Sequence, residues 1–150
     1  MRVLIFMLWF LPAIISPAQL VHPQHTQYDL WCLAKNIYHE ARGEAPLGQW
    51  LVAQVVLVRT QDSRWPNTVC GVVLQAKQFS WTHQRVVVND KQAWHQSWLL
   101  AHQVLQHPNP QHTEYNHFVH CTKTRWKKNW GTKVGKHCFF WTWRCAYNGL

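Results

Sequence analysis

The stretch Ile37-Tyr38-His39-Glu40-Ala41-Arg42-Gly43-Glu44 decides how the chain is read. Upstream of it, Leu30, Leu33, Ile37 and Ala41 recur at helical spacing, and Gly43 ends the run. On a helical wheel Leu33, Ile37, Glu40 and Glu44 fall at roughly 0°, 40°, 340° and 20°. Glu40 therefore belongs to the apolar side, at the end of a helix over 29–42. Asp29 is expected to cap that helix by accepting from its first free amides. A carboxyl against apolar walls is hard to ionise, so the pKa of Glu40 is expected to rise, which would let it donate a proton near neutral pH. The bland alternative is a solvated acid paired with Arg42 or Lys35.

Working outward, Pro46 suits a first helical position, and Leu47, Leu51, Val55 and Val58 predict a second helix over 46–60. Trp65-Pro66-Asn67 reads as a loop, 68–76 as a short third helix, and Gln78-Phe79-Ser80-Trp81 as a loop. Asn89 and Asp90 can cap a fourth helix ending near 106, with Trp94, Trp98, Ala101 and Leu105 on one face. Beyond His107-Pro108-Asn109-Pro110 the character changes. Segments 115–121 and 137–144 are rich in aromatic and β-branched residues and read as strands, joined by a loop containing Lys123, Arg125, Lys127, Lys128, Lys133 and Lys136. The pattern predicts an α+β domain: a helical body followed by a small antiparallel β element near the C-terminus.

At 150 residues there is room for one domain, and 47% hydrophobic content is enough for a core. Lys plus Arg is 15 against 6 for Asp plus Glu, a formal charge of +9, which favours an anionic partner. Any mechanism that needs a carboxylate must choose among Asp29, Glu40, Glu44, Asp62, Asp90 and Glu114.

Met1-Arg2, an apolar run through Ile15, and Ser16-Pro17-Ala18 follow the pattern of a secretory signal peptide over 1–18, with cleavage before Gln19. The apolar run, about 13 residues, is short for a membrane span. Export and no stable membrane span after processing are therefore expected, with location in the cell envelope, the periplasm or outside the cell. A polar leader over 19–27 precedes the domain at 28–150. An exported chain with Cys32, Cys70, Cys121, Cys138 and Cys145 is expected to form disulfides. Five is odd, so at least one thiol is free or pairs between chains, and spacing does not choose the pairing.

Four blocks, in order, carry a resemblance. The first is Ile37 to Glu44 with Gly48-Gln49, Val52-Ala53 and Val55-Val56-Leu57. The second is Trp65-Pro66-Asn67-Thr68-Val69-Cys70-Gly71-Val72-Val73, with Gln78-Phe79-Ser80-Trp81 after it. Tyr115-Asn116-His117 and Gly135-Lys136-His137-Cys138-Phe139-Phe140 close the series. Together they resemble the SleB-type cell-wall hydrolases, which include spore cortex-lytic germination enzymes, over roughly residues 31–141. The resemblance implies a lysozyme-like fold that cuts the glycan strand of peptidoglycan as a lytic transglycosylase, with Glu40 as the catalytic acid and base. It implies substrate binding by Gln78, Phe79, Ser80, Trp81, Tyr115, His117 and His137, and no metal or cofactor. Glu44 matches the family's second Glu and is read either as a second carboxylate for hydrolysis or as a structural acid near a helix start. Two departures stand out: Val58 precedes Arg59 where the family usually has Asn, and Phe140 replaces a Tyr.

Rival readings remain. His117, His120, Cys121, His137 and Cys138 suggest zinc, but on a strand His117 and His120 point to opposite faces. The Lys-rich loop interleaved with Trp126 and Trp130 could bind single-stranded nucleic acid. Export favours peptidoglycan as partner, with no nucleic acid and the chain acting as a monomer. A non-catalytic wall-binding module is the third possibility.

Overall fold

A computed structural model describes residues 25–84, 87–108, 115–123 and 131–142. The signal-like segment, most of the leader, Cys145, and Trp126 and Trp130 with most of the basic loop lie outside the described residues.

The first helix, α1 (Gln27–Ala41), begins two residues before the expected start, and its cap is Thr26 rather than Asp29. Thr26 Oγ1 accepts from Asp29 N at 3.0 Å, and Asp29 Oδ2 accepts from Thr26 N at 3.1 Å. This is a reciprocal capping box, so Asp29 sits in the first turn and not before it. Its other oxygen accepts from Cys70 N at 3.1 Å. The disulfide Cys32–Cys70 reinforces the same junction, tying α1 to α3 (Val69–Leu74). That third helix is shorter than expected and is capped by Thr68, which accepts from Gly71 N at 3.1 Å.

Helix α2 (Pro46–Thr60) has the expected limits, with Pro46 in its first turn. Helix α4 (Lys91–Gln106) is capped as expected by Asp90, which accepts from Ala93 N at 2.9 Å. The apolar side of α1 is wider than the stripe read from spacing: Leu30, Cys32, Leu33, Ala34, Asn36, Ile37, Tyr38 and Ala41 are all buried. Helix α2 is buried at every position from Leu51 to Arg59, whereas Leu47, expected on its inner side, is 49% exposed. Helices buried on most of their circumference are central, and α2, α3 and α4 all pack on α1.

The β element has three strands in the order β1 (His117–His120), β3 (His137–Phe140), β2 (Gly131–Val134), all antiparallel. Strand β2 corrects the sequence reading, which treated 131–134 as part of a basic loop. It is a polar edge strand with Thr132 and Lys133 exposed, so it lacks the apolar alternation that marks a half-buried strand. Gly135 and Lys136 close the β2–β3 hairpin, and Gly135 supplies a φ of +56° at the first turn position. The disulfide Cys121–Cys138 joins the end of β1 to β3.

Two cores result. Residues from all four helices, with Phe79 and Trp81, form the larger one; Trp94 and Trp98 pack on it half-buried. Phe139 packs with Ala41, Leu51, Val52 and Val55 in the smaller one, which seats the sheet on α2 and the end of α1. Among the described residues no helix is long and apolar enough to cross a membrane.

Burial alone would raise the Asp29 carboxyl, but the bonds from Cys70 and Thr26 outweigh it and hold its pKa below the usual value. A depressed carboxylate stabilises the fold fully above the unfolded value of 3.8, and the gain is lost as pH falls through the folded value. Asp29→Ala should cost about 2–3 kcal/mol at neutral pH, from a lost cap partner and an orphaned buried amide. Urea unfolding at pH 7 measures the loss, and the gap to wild type should shrink as pH drops below 3.8.

Candidate active site

Glu40 lies in the last turn of α1, half-buried, where the helix meets the sheet. It lines a cleft of 670 Å³ together with Arg59 from α2, residues 77–80 from the connection after α3, 118–120 from β1, and His137 from β3. The cleft thus joins the helical body to the β element, with walls from α1, α2, the connection after α3, β1 and β3.

Its base is a buried cation. Arg59 is 4% exposed; its Nε donates to Asn116 O at 2.7 Å and its Nη1 to Gln78 Oε1 at 3.1 Å. Burial lowers its pKa to about 10, which leaves it charged at neutral pH. The guanidinium therefore fixes Gln78 in the cleft wall while bridging to the segment before β1. Trp65 lies against it, 5.5 Å from the Arg59 guanidinium and 4.6 Å from that of Arg64.

On the sheet side, His137 pairs directly with His120 across β3 and β1, with ring centroids 6.1 Å apart. His137 is buried, and Phe118 meets its ring edge-on at 5.3 Å. Burial lowers its pKa; the charge of Glu44 opposes this without overcoming it, and His120 and Lys136 add to the lowering.

Glu44 has a different setting. Its Oε2 accepts from Lys136 N at 3.0 Å, in the turn that closes the β2–β3 hairpin. A Cβ at Gly135 would overlap that same oxygen. Backbone freedom and close approach both require glycine here. Glu44 thereby straps the hairpin carrying His137 to the α1–α2 junction and is not among the residues that line the cleft. Arg42 turns back along α1, donating to Tyr38 O at 3.2 Å.

Of the site residues read from the sequence, Glu40, Gln78, Phe79, Ser80 and His137 come together in one cleft. Trp81, Tyr115 and His117 lie outside its lining. Trp81 is buried and packs on His39 at 4.6 Å. The hydroxyl of Tyr115 meets Thr132 Oγ1 at 2.7 Å. His117 Nδ1 meets Asn116 Oδ1 at 2.9 Å, and its ring lies edge-on to Trp65. Sequence reasoning did not assign Arg59, Lys77, Phe118, Val119 or His120 to the site. For Phe118 and His120 the strand register was the available signal; Lys77 carried none.

Residues 43–140 match the model of the Cell Wall Hydrolase family. The chain belongs to the cell wall hydrolase family. The match opens just after Glu40 and includes the rest of the cleft. A spore cortex-lytic enzyme of Bacillus cereus is 41% identical over 56 residues, 37% of this chain and 22% of that protein. One from Oceanobacillus iheyensis is 35% identical over 79 residues, 53% of this chain and 26% of that protein. The aligned parts therefore span about a quarter or less of these relatives' length. The catalytic domain of the germination-specific lytic transglycosylase SleB from Bacillus anthracis superposes with a TM-score of 0.61 at 27% identity, covering 79% of this chain and 98% of that domain. The Bacillus cereus SleB catalytic domain gives 0.60 at 28%, with 79% and 93% covered. The helical body with its small C-terminal sheet is thus the lysozyme-like architecture of these domains.

Two histidines flank the site and are held neutral. Burial, then the charges of Lys35 and Arg42, lowers His39 to about 4. Burial, then Arg59 and Arg64, lowers His117 to about 4. Both are ordinary at 6.5 when unfolded, so their contribution is complete above 6.5 and is lost as pH falls toward 4. The melting temperature should fall across that interval, and a His39→Gln/His117→Gln variant should show a flatter profile in calorimetric scans at stepped pH.

Proposed function

We propose that the domain cleaves the glycan strand of peptidoglycan as a lytic transglycosylase, with Glu40 as the single acid and base. In this reaction Glu40 donates its proton to the oxygen leaving C1 of N-acetylmuramic acid, freeing the N-acetylglucosamine hydroxyl. The carboxylate then takes the proton of the muramyl 6-hydroxyl as that oxygen bonds to C1, closing a 1,6-anhydro ring. No water is consumed and no second carboxylate is needed.

The observation that carries this reading is the cleft's single carboxylate: among the described residues Glu40 alone of the acids lines it, beside the apolar rings of Phe79 and Phe118. A hydrolytic muramidase using Glu40 and Glu44 would need the second carboxylate to reach a water across the sugar. The bond from Lys136 N to Glu44 Oε2 favours the single-acid route instead. The likeness to SleB catalytic domains supports the same choice. The signal-like start supports action outside the cytosol, on the wall rather than on nucleic acid.

Glu40→Gln should leave less than a tenth of the wild-type rate, a barrier increase above about 1.4 kcal/mol, with the fold intact by circular dichroism. Mass spectrometry of sacculus digests should find anhydromuramyl ends; reducing ends alone would point to hydrolysis.

Glu44→Gln should do the reverse. It keeps an acceptor for Lys136 but loses the charge beside the start of α2, costing about 0.3–1 kcal/mol of stability. Turnover should fall less than in Glu40→Gln. A Glu44→Gln protein that melts like wild type yet is as inactive as Glu40→Gln would exclude the single-acid mechanism.

A further inference from the structure

The turn between α3 and the 3-10 segment Ser80–His83 holds an anomaly. Gln78 N donates to Gln75 O at 3.2 Å, closing a turn whose third residue is Lys77. Lys77 has φ +66° and is the only non-glycine residue with positive φ among the described residues. This conformation is ordinarily left to Gly, Asn or Asp, and strained residues of this kind cluster at functional sites. Lys77 N donates to His83 Nε2 at 3.3 Å, so the backbone is pinned on the far side. The side chain is exposed and lines the same cleft as Glu40.

Nε and Nη1 of the buried Arg59 donate to Asn116 O and Gln78 Oε1, and His120 Nδ1 is engaged with Thr122 Oγ1 at 2.7 Å. Among the described residues the only salt bridge is that of Arg64 with Asp62, so Lys77 has no ion-pair partner there. An exposed ammonium at a cleft wall, on a backbone better suited to Asn, points to a charge kept for a ligand. Peptidoglycan supplies a matching one. Its stem peptides hang from the muramyl sugar beside the bond to be cut, and they carry free carboxylates.

We propose that Lys77 is a specificity-determining residue whose ammonium group receives a stem-peptide carboxylate of the strand in the cleft. This rests on reading the cleft as a glycan site, and it adds that the strand is recognised by its peptide charge as well as its sugars.

The test uses the full chain carrying Glu40→Gln, so that bound strands are not cut. The probes are two soluble, uncrosslinked glycan-peptide fragments, one with free stem carboxylates and one with those carboxylates amidated. Calorimetric titration at low salt should give about three- to fivefold tighter binding of the free-carboxylate fragment, as expected for one exposed ion pair. The preference should shrink at high salt. Adding Lys77→Asn should bring the ratio near one, while Lys77→Arg should retain it. Lys77→Asn should also melt no lower than its parent, because Asn tolerates this backbone. That separates lost recognition from lost folding. An unchanged ratio in Lys77→Asn, or no preference in the parent, overturns the proposal. Wild-type cleavage of sacculi without any carboxylate preference removes this inference and leaves the proposed function standing. Selective binding without cleavage does the opposite, and failure to bind either fragment overturns both.

Discussion

Helix α1 can leave its cleft end in one position only because its other end is locked. The lock is Asp29, whose two oxygens serve the start of α1 and the start of α3 together, with the Cys32–Cys70 disulfide beside it. A carboxylate that accepts amides from two helices fixes their relative position more tightly than apolar contact, which is not directional. Helices α2, α3 and α4 then close around α1, and Ala41 enters the smaller core under the sheet. Glu40 is carried to the rim where the two cores meet.

The sheet cannot hold itself there. Its strands are four residues long, and so small a sheet needs a packed face and outside restraint. Phe139 supplies the face against α2. The restraint comes from the bond of Glu44 to Lys136 N, at the hairpin end where Cys121–Cys138 also joins β1 to β3. Arg59 adds a third tie by bonding Asn116 O just before β1. These ties bring His120 and His137 opposite the helical wall, so the strap at Glu44 bears on the cleft's shape without lining it.

How much of this was legible follows from which residues pack and which do not. The helices were readable because burial imposes a spacing on their apolar residues, and α2 and α4 fall where Pro46 and Asp90 put them. Thr26 was missed as the cap because Asp29 is an equally good capping residue, and only the second bond of Asp29, to a residue far along the chain, decides between them. Strand β2 was hidden because an edge strand pairs through its backbone and can be polar on both faces. Trp81 illustrates the converse. A Trp in a predicted loop suits a sugar platform, but its ring is in the larger core. Glu40, Gln78, Phe79, Ser80 and His137 were found together because they sit in motifs, whereas Lys77 departs from average behaviour only in its backbone angle.

The scarcity of acids gives the site assignment most of its force. Asp29 is consumed by the α1–α3 junction, Glu44 by the hairpin strap, Asp62 by Arg64, and Asp90 by the cap of α4. Glu114 lies outside the described residues. Glu44 and Asp90 accept from backbone amides, and the bonds made to Asp29 and Asp62 hold those two carboxyls below the usual carboxylate range, which makes them poor proton donors. A general acid for this reaction needs apolar walls and a cavity wide enough for a sugar. Glu40 is the described carboxylate with Phe79 and Phe118 beside it and a cleft in front. In a chain this basic, the roles of the other acids narrow the chemistry more than the surroundings of Glu40 alone.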